Sequence, residues 1–162
     1  MKILGVTISN TLLVSQHITN VVSSCVQSEY ARRTLRAHGM SNANLHIVYR
    51  SVIVAKLLYA ASAWYGFSTA DDRQRLEAVI RRGIRSGLCP TDQWTVSELV
   101  DTADESLFTQ ILYNHHVLHR ELLPERRNCY DLRTRRHDRE LTQKDGGLER
   151  EVVTRMVFRD SY

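Results

Sequence analysis

Apolar residues recur at helical spacing along most of the chain, and strand-like spacing is confined to its start. The segment Ile3 to Ile8 is β-branched and apolar and is followed by the turn residues Ser9 and Asn10, which predicts one short strand. A lone strand leaves backbone groups unpaired. We therefore expect it to pair with another part of this chain, with another chain, or with a sheet of which it is a remnant.

The apolar residues after this strand follow helical spacing and predict a series of helices. Most of them begin at a capping residue or end near a glycine or proline, as helix boundaries commonly do. The predicted helices span Ser15 to about His38, Ser41 to Gly66, Ser68 or Thr69 to Gly87, a short one after the capping box Thr95 to Glu98, Asp104 to Leu123, and a weak one from Leu148 to Phe158. From Val52 onward the second helix is apolar nearly all round, so it should be the most buried.

These elements predict a mainly α protein, a helical bundle with one short N-terminal strand and an extended C-terminal arm. The 162 residues suffice for one domain with a hydrophobic core. We divide the chain into the strand at residues 1–14, a helical domain at 15–123, and a basic connector with a weak helix at 124–162.

Positive charge is concentrated in the first half. Residues 1–90 carry eleven Lys and Arg against four Asp and Glu. Residues 91–162 carry eleven Lys and Arg against fourteen Asp and Glu, and the whole chain has a net charge of +4. Lys and Arg supply phosphate contacts, and a positive field speeds encounter with a polyanion. From charge alone, a polyanionic partner and a merely solvated basic surface are equally good interpretations.

The cysteines and the apolar stretches indicate the compartment. Cys25, Cys89 and Cys129 are widely spaced and form no CxxC pair, which favours free thiols in a reducing environment. No charged and apolar leader pattern opens the sequence, and the stretch Val52 to Phe67 includes Lys56 and is shorter than the roughly 20 residues that a bilayer span needs. We expect an intracellular protein without membrane insertion.

Two patterns resemble metal sites. Asp71 and Asp72 are adjacent carboxylates, as two-metal sites require, but they open a helical pattern, where carboxylates cap the helix and complement its dipole. His115 and His119 have i, i+4 spacing, yet His116 stands where HExxH needs Glu. We interpret both pairs as structural, with metal binding by the histidines as the lesser alternative, and predict no cofactor. No nucleophile arrangement or glycine-rich phosphate loop occurs.

Basic side chains recur on several predicted helices. Arg81 and Arg85 are i, i+4 neighbours, which places them on one face. The candidate phosphate contacts are Arg32, Arg33, Arg36, Lys56, Arg81, Arg82 and Arg85. The aromatics interleaved with them, which could stack on bases or pack in the core, are Tyr30, Tyr49, Tyr59, Trp64 and Tyr65. Because no helix-turn-helix module is recognisable, we predict backbone contacts without base readout.

Five segments carry a family resemblance. The opening K-I-L-G-V-T-I-S with His17-Ile18 resembles the part of non-LTR (LINE-type, jockey-like) retrotransposon reverse transcriptases in which a final palm strand leads into the helical thumb. Tyr49 to Gly66 and Arg75 to Arg85 resemble the next two thumb helices. Ala103 to Phe108 and His137-Asp138 resemble the region beyond the thumb.

The resemblance implies a fragment of an RNA-directed DNA polymerase. Residues 1–14 would be the remnant of the palm, 15–123 the thumb-like domain, and the function would be to grip an RNA/DNA template-primer duplex behind an active site on a palm and fingers polypeptide. The catalytic aspartates of the family precede this segment, so we expect no enzyme in this chain alone. The alternative is a helical protein–protein interaction module with no nucleic-acid role.

Overall fold

The computed structural model describes residues 1–113 and 150–159, in a chain that divides into two compact units, Met1–Val100 and Asp101–Tyr162. The protein is mainly helical with a short two-stranded antiparallel sheet near the N-terminus, which confirms the predicted fold class. The predicted boundary near residue 123 and most of the predicted C-terminal arm fall outside the described residues.

The elements follow one another in a simple order. Strands and helices are numbered here along the chain. They are β1 (Lys2–Ile3), β2 (Val6–Thr7), α1 (Ser15–Ala37), α2 (Asn42–Val48), a π-helical segment (Tyr49–Val54), α3 (Ala55–Leu58), α4 (Ala61–Trp64), a 3₁₀ turn (Tyr65–Phe67), α5 (Ala70–Arg85), α6 (Val96–Tyr113) and α7 (Val152–Phe158).

The predicted N-terminal strand is folded on itself as a hairpin. Lys2 pairs with Thr7 and Ile3 with Val6, and the turn between them holds Leu4 and Gly5 at φ values of 46° and 90°. Positive φ at both central residues matches the twist of a tight two-residue hairpin. The strand therefore finds its partner within eight residues, and it was predicted as one strand because the turn lacks the usual Asn-Gly or Asp-Gly signal.

Local capping sets the helix boundaries in Met1–Val100, largely as predicted. Gly39 follows α1 with φ +86°, and the Ser41 side chain accepts a hydrogen bond from the Asn44 amide at the start of α2. Thr69 and Asp72 form a reciprocal capping box at the start of α5. Thr95 forms a second capping box with Glu98 ahead of α6. These caps satisfy amide groups that the first turn of a helix leaves free.

The second predicted helix is not regular. Leu45, Tyr49, Ile53 and Leu57 are all fully buried at a spacing of four residues. An α-helix has 3.6 residues per turn, so the wider π-helical turns keep this stripe pointed at the core. The helix then breaks at Ala60, whose φ is +51°, instead of continuing to Gly66.

The same segment, Asn42–Phe67, is long and apolar enough to cross a membrane by length and composition, with 26 residues. It extends further toward the N-terminus than the apolar stretch measured on the sequence. Core helices of globular domains meet the same criterion, and this segment contributes much of the buried core. The compartment of the protein stays a prediction.

One core lies in Met1–Val100 and another in Asp101–Tyr162. The first packs α1, the π-helical segment and α5 together with residues of the N-terminal hairpin, including Val6. In the second, Phe108 and Ile111 of α6 pack with Met156 and Val157 of α7. Asp104 was predicted to begin a helix, which is wrong. It lies inside the continuous α6 and pairs with Arg155 instead.

Candidate nucleic-acid interface

Helices α1 and α5 lie side by side and run in the same direction. Ser15 Oγ donates a hydrogen bond to Asp72 over 2.7 Å, Arg75 donates to Thr19 Oγ1 over 3.0 Å, and Arg36 donates to the Ser86 carbonyl over 2.7 Å. Residues later in α1 therefore contact residues later in the α5 segment, which means that the two helices are parallel. Both C-termini therefore lie at one end, the basic end, which comprises residues 29–37 and 81–87.

The charges at the two ends of this helix pair match the helix dipoles. Asp72 accepts from Ser15 near the start of α1 and from Thr69 at the start of α5, where backbone amides favour a negative group. At the basic end, Arg36 lies in the last turn of α1, and Arg82 and Arg85 lie in the last turn of α5. Two parallel helices place their negative ends together, so several arginines here have a structural reason to be present.

Arg32 is buried, which corrects its prediction as a phosphate contact. Only 2% of the residue is exposed. Its Nη2 donates to the carbonyls of Leu45 and Leu88, and its guanidinium stacks on the Tyr49 ring at 4.5 Å from the centroid. It lies inside because α1 turns it onto the same stripe as Cys25, and burial lowers its pKa. Arg32 holds α1, α2 and the segment after α5 together.

Arg36 and Lys56 are half-buried and already hydrogen-bonded within the protein. Arg36 donates to the carbonyls of Ser86 and Gly87, closing the end of α5. Lys56 Nζ lies 2.9 Å from Ser24 Oγ and 2.7 Å from Ser28 Oγ. Most of the hydrogen-bonding capacity of both side chains is directed inward.

Arg82 faces a buried carboxylate. Its Nε lies 3.5 Å from Oε2 of Glu29, and the Arg82 side chain is 43% exposed. Burial raises the pKa of Glu29, although the positive charges of Arg82, Arg33 and Arg32 act in the opposite direction. Glu29 Oε1 and Arg82 Nε have no hydrogen-bond partner among the described atoms. The two groups are close enough for ionic attraction but are not hydrogen-bonded.

The remaining three candidates are accessible. Arg33, Arg81 and Arg85 are exposed, and within residues 1–113 and 150–159 none of them belongs to an ion pair. Arg33 lies on the side of α1 that turns toward α5, one helical turn beyond Glu29. Arg81 and Arg85 lie on the solvent face of α5. The structure thus brings three of the seven predicted residues to the surface of the basic end.

The five interleaved aromatics also divide into buried and exposed side chains. Tyr49, Trp64 and Tyr65 are buried in the core. Tyr59 is exposed and donates to the Leu4 carbonyl in the N-terminal hairpin. Tyr30 is 74% exposed and lies one turn before Arg33 on α1. Of the five aromatics, Tyr30 is the one that an external base could reach beside a free arginine.

The acidic pair lies in the first turn of α5, as predicted, and Asp72 completes the capping box there. Asp72 is buried and accepts from Ser15 Oγ, Thr69 Oγ1 and the Thr69 amide, with Arg75 Nη1 at 3.3 Å. Burial raises its pKa, but these hydrogen bonds outweigh that effect and the net pKa is lowered. Asp71 is exposed. Their two carboxylates serve the helix start in different environments.

Other reactive groups in the described part of the chain are inert or isolated. Burial raises the pKa of both Cys25 and Cys89 to about 11, so neither thiol is ionised at neutral pH. No group of three or more His, Cys, Asp or Glu side chains in that part is placed to hold a metal ion. His115, His119 and Cys129 lie outside it.

Sequence reasoning missed Glu29 as part of this site. Glu29 falls four residues after Cys25, on the apolar stripe that begins with Ile18. A carboxylate on such a stripe is rarely buried without a partner, so this position could have indicated a buried ion pair. Identifying Arg82 as that partner required knowing that α1 and α5 run in parallel.

Comparisons with family models, with curated proteins and with solved structures found no match. The relationship to reverse transcriptases therefore stays a prediction from the sequence resemblance.

Proposed function

We propose that this chain holds nucleic acid through its phosphate backbone, as the thumb-like part of a non-LTR reverse transcriptase would, and that it has no catalytic centre of its own. The proposal is supported by one observation above others. Arg33, Arg81 and Arg85 remain exposed and unpaired at the basic end, among the described residues, while most other basic groups nearby are used inside the fold.

The chemistry of these three groups suits a phosphate backbone. A guanidinium carries a permanent charge and offers paired N–H donors that match phosphate oxygens. Arg81 and Arg85 are one helical turn apart, about 6 Å along the axis, which is comparable to the spacing of successive phosphates in a nucleic-acid strand. A helix surface of this kind contacts a template-primer duplex without reading its bases.

The test is binding of a fluorescent RNA/DNA hybrid at increasing salt, followed by anisotropy. We expect binding at low salt that weakens as salt rises, and a log–log slope that falls by about 0.9 for each phosphate contact removed. The triple variant Arg33→Ala/Arg81→Ala/Arg85→Ala should therefore lose about three units of slope.

A charge-matched control separates local contact from general attraction. Lys2 and Arg73 are exposed cations away from the basic end, in β1 and near the start of α5 respectively. The double variant Lys2→Ala/Arg73→Ala removes the same charge as Arg81→Ala/Arg85→Ala and should weaken binding less. Equal effects of the two doubles, or no binding by the natural sequence at low salt, would reject the proposal.

A protein-interaction module is the second candidate, and a different surface favours it. Five large apolar side chains are exposed near the N-terminus, namely Met1, Ile3, Leu4, Leu12 and Leu13. Exposed apolar patches commonly mark contacts with other proteins. Light scattering across a concentration series distinguishes the two functions, because a stable oligomer that is indifferent to added hybrid would favour the interaction module.

A further inference from the structure

The environment of Arg82 differs from that of its exposed neighbours. Arg81 and Arg85 have no ionic partner in the described part of the chain, whereas Arg82 lies beside Glu29, which is only 3% exposed. Arg82 follows Arg81 directly and precedes Arg85 by three residues, so its guanidinium group can reach the same end of α5. A substantial part of the Arg82 side chain is open to solvent.

The attraction between Glu29 and Arg82 is incomplete. The separation of 3.5 Å lies beyond the 2.7–2.9 Å of a charge-assisted hydrogen bond, and neither Glu29 Oε1 nor Arg82 Nε has a hydrogen-bond partner within the described structure. Burial raises the pKa of Glu29, which means that its charged form is stabilised less in the fold than in water. An external anion can therefore compete for Arg82.

A phosphate would be the better ligand for this arginine. It would meet the open part of the guanidinium in solvent, with good hydrogen-bond geometry and without having to be buried. Glu29 cannot follow Arg82 outward because it is enclosed between the helices. Each phosphate contact with Arg82 must then overcome the pull of the buried carboxylate.

We propose that Arg82 is a fourth phosphate ligand of the basic end, and that Glu29 limits the affinity of this surface by holding Arg82 between α1 and α5. This inference rests on the proposed function. It assigns Glu29 the part of a positioning residue that acts through Arg82 and makes no contact with the nucleic acid.

The variant Glu29→Gln tests the inference because it keeps the shape of the side chain and removes its charge. We expect tighter binding of the RNA/DNA hybrid, by at least about two- to fivefold, because an exposed ion pair contributes about that much and the Glu29 carboxylate is buried. The salt slope should increase, by at most about 0.9, the value of one full phosphate contact. Asp92→Asn is the control, since Asp92 is exposed and lies a few residues beyond α5.

A double-mutant cycle assigns the effect to Arg82. In the natural sequence, Arg82→Ala should weaken binding less than Arg81→Ala does. In the Glu29→Gln background the two substitutions should weaken binding equally, and Arg82→Ala should abolish the gain from Glu29→Gln. The comparison of Arg82→Ala with Arg81→Ala in the natural sequence gives a result even if Glu29→Gln fails to fold.

The outcomes distinguish this inference from the proposed function. If the natural sequence binds hybrid, but Glu29→Gln binds no more tightly than Asp92→Asn or keeps its gain without Arg82, the inference is overturned and the proposed function stands. Equal losses from Arg82→Ala and Arg81→Ala in the natural sequence would also overturn it. If the natural sequence does not bind, the proposed function is rejected and this inference with it.

Discussion

Arg32 and Arg33 are consecutive residues that should respond in opposite ways to the same substitution. Replacing Arg32 with Met removes hydrogen bonds to the carbonyls of Leu45 and Leu88, each worth about 1.5–3 kcal/mol for a charged donor, and a stack on Tyr49 worth about 1 kcal/mol. Relief from burying a guanidinium returns several kcal/mol. We expect a net loss of about 2–4 kcal/mol in the free energy of unfolding.

Arg33→Met should leave stability within about 0.5 kcal/mol, because Arg33 is exposed and has no ionic partner in the described part of the chain. Urea unfolding followed by circular dichroism measures both. With a slope of about 2 kcal/mol/M, typical of a small protein, Arg32→Met should lower the midpoint by about 1–2 M and Arg33→Met by less than about 0.3 M.

Hybrid binding should show the reverse order. Under conditions where both variants are folded, Arg33→Met should reduce the salt slope by about 0.9 and Arg32→Met should leave it unchanged. The assignment of Arg32 to the core would be refuted by equal urea midpoints for the two variants. Loss of salt slope in folded Arg32→Met would refute it as well.

Three further predictions concern the core and its titratable groups. Gly83→Ala should cost about 1–3 kcal/mol in a thermal or urea melt, because its Cβ would lie 2.6 Å from the buried Tyr49 ring; Gln74→Ala, exposed on the same helix, should be silent. Asp72→Asn should cost about 1–2 kcal/mol at pH 7. Because the folded-state pKa of Asp72 is lowered, this difference should begin to shrink as pH falls below about 4 and should disappear once pH is below the folded-state pKa. A difference that persists at still lower pH would contradict this account. Burial lowers the pKa of His17, so the unfolded chain binds more protons and stability should decline as pH falls below 6.5. His17→Phe should flatten the decline between pH 7.5 and 5.5, and an unchanged decline would assign it to other groups.

Helix boundaries were predictable because their signals are local. Ser41, Thr69 and Thr95 each bond to an amide within three residues, so neighbouring sequence is enough to identify them. The π-helical segment was not predictable in this way. Its wider turns keep Tyr49 and Ile53 facing the core, and which residues face the core is a property of the packed structure.

The candidate site was predictable only in part, for a related reason. Helical spacing placed Arg81 and Arg85 on one exposed face, and the structure agrees. Arg32 falls on the same helical stripe as Cys25, but its charge led to the prediction of a surface position. Whether a basic side chain on an apolar stripe is buried depends on whether acceptors such as the Leu88 carbonyl, 56 residues away, come within reach.

Arg85 and Arg81 can separate a structural role of the basic end from a binding role. The interaction with the helix dipole is confined to the last turn, which includes Arg85 but not Arg81. If dipole compensation explained these arginines, Arg85→Ala would lower stability by about 0.3–1 kcal/mol and Arg81→Ala would be silent in every assay. Phosphate contact instead requires both substitutions to reduce hybrid affinity and salt slope to a similar extent, with a stability cost only at Arg85. Parallel urea melts and anisotropy titrations of the two single variants would therefore decide which role the exposed arginines have.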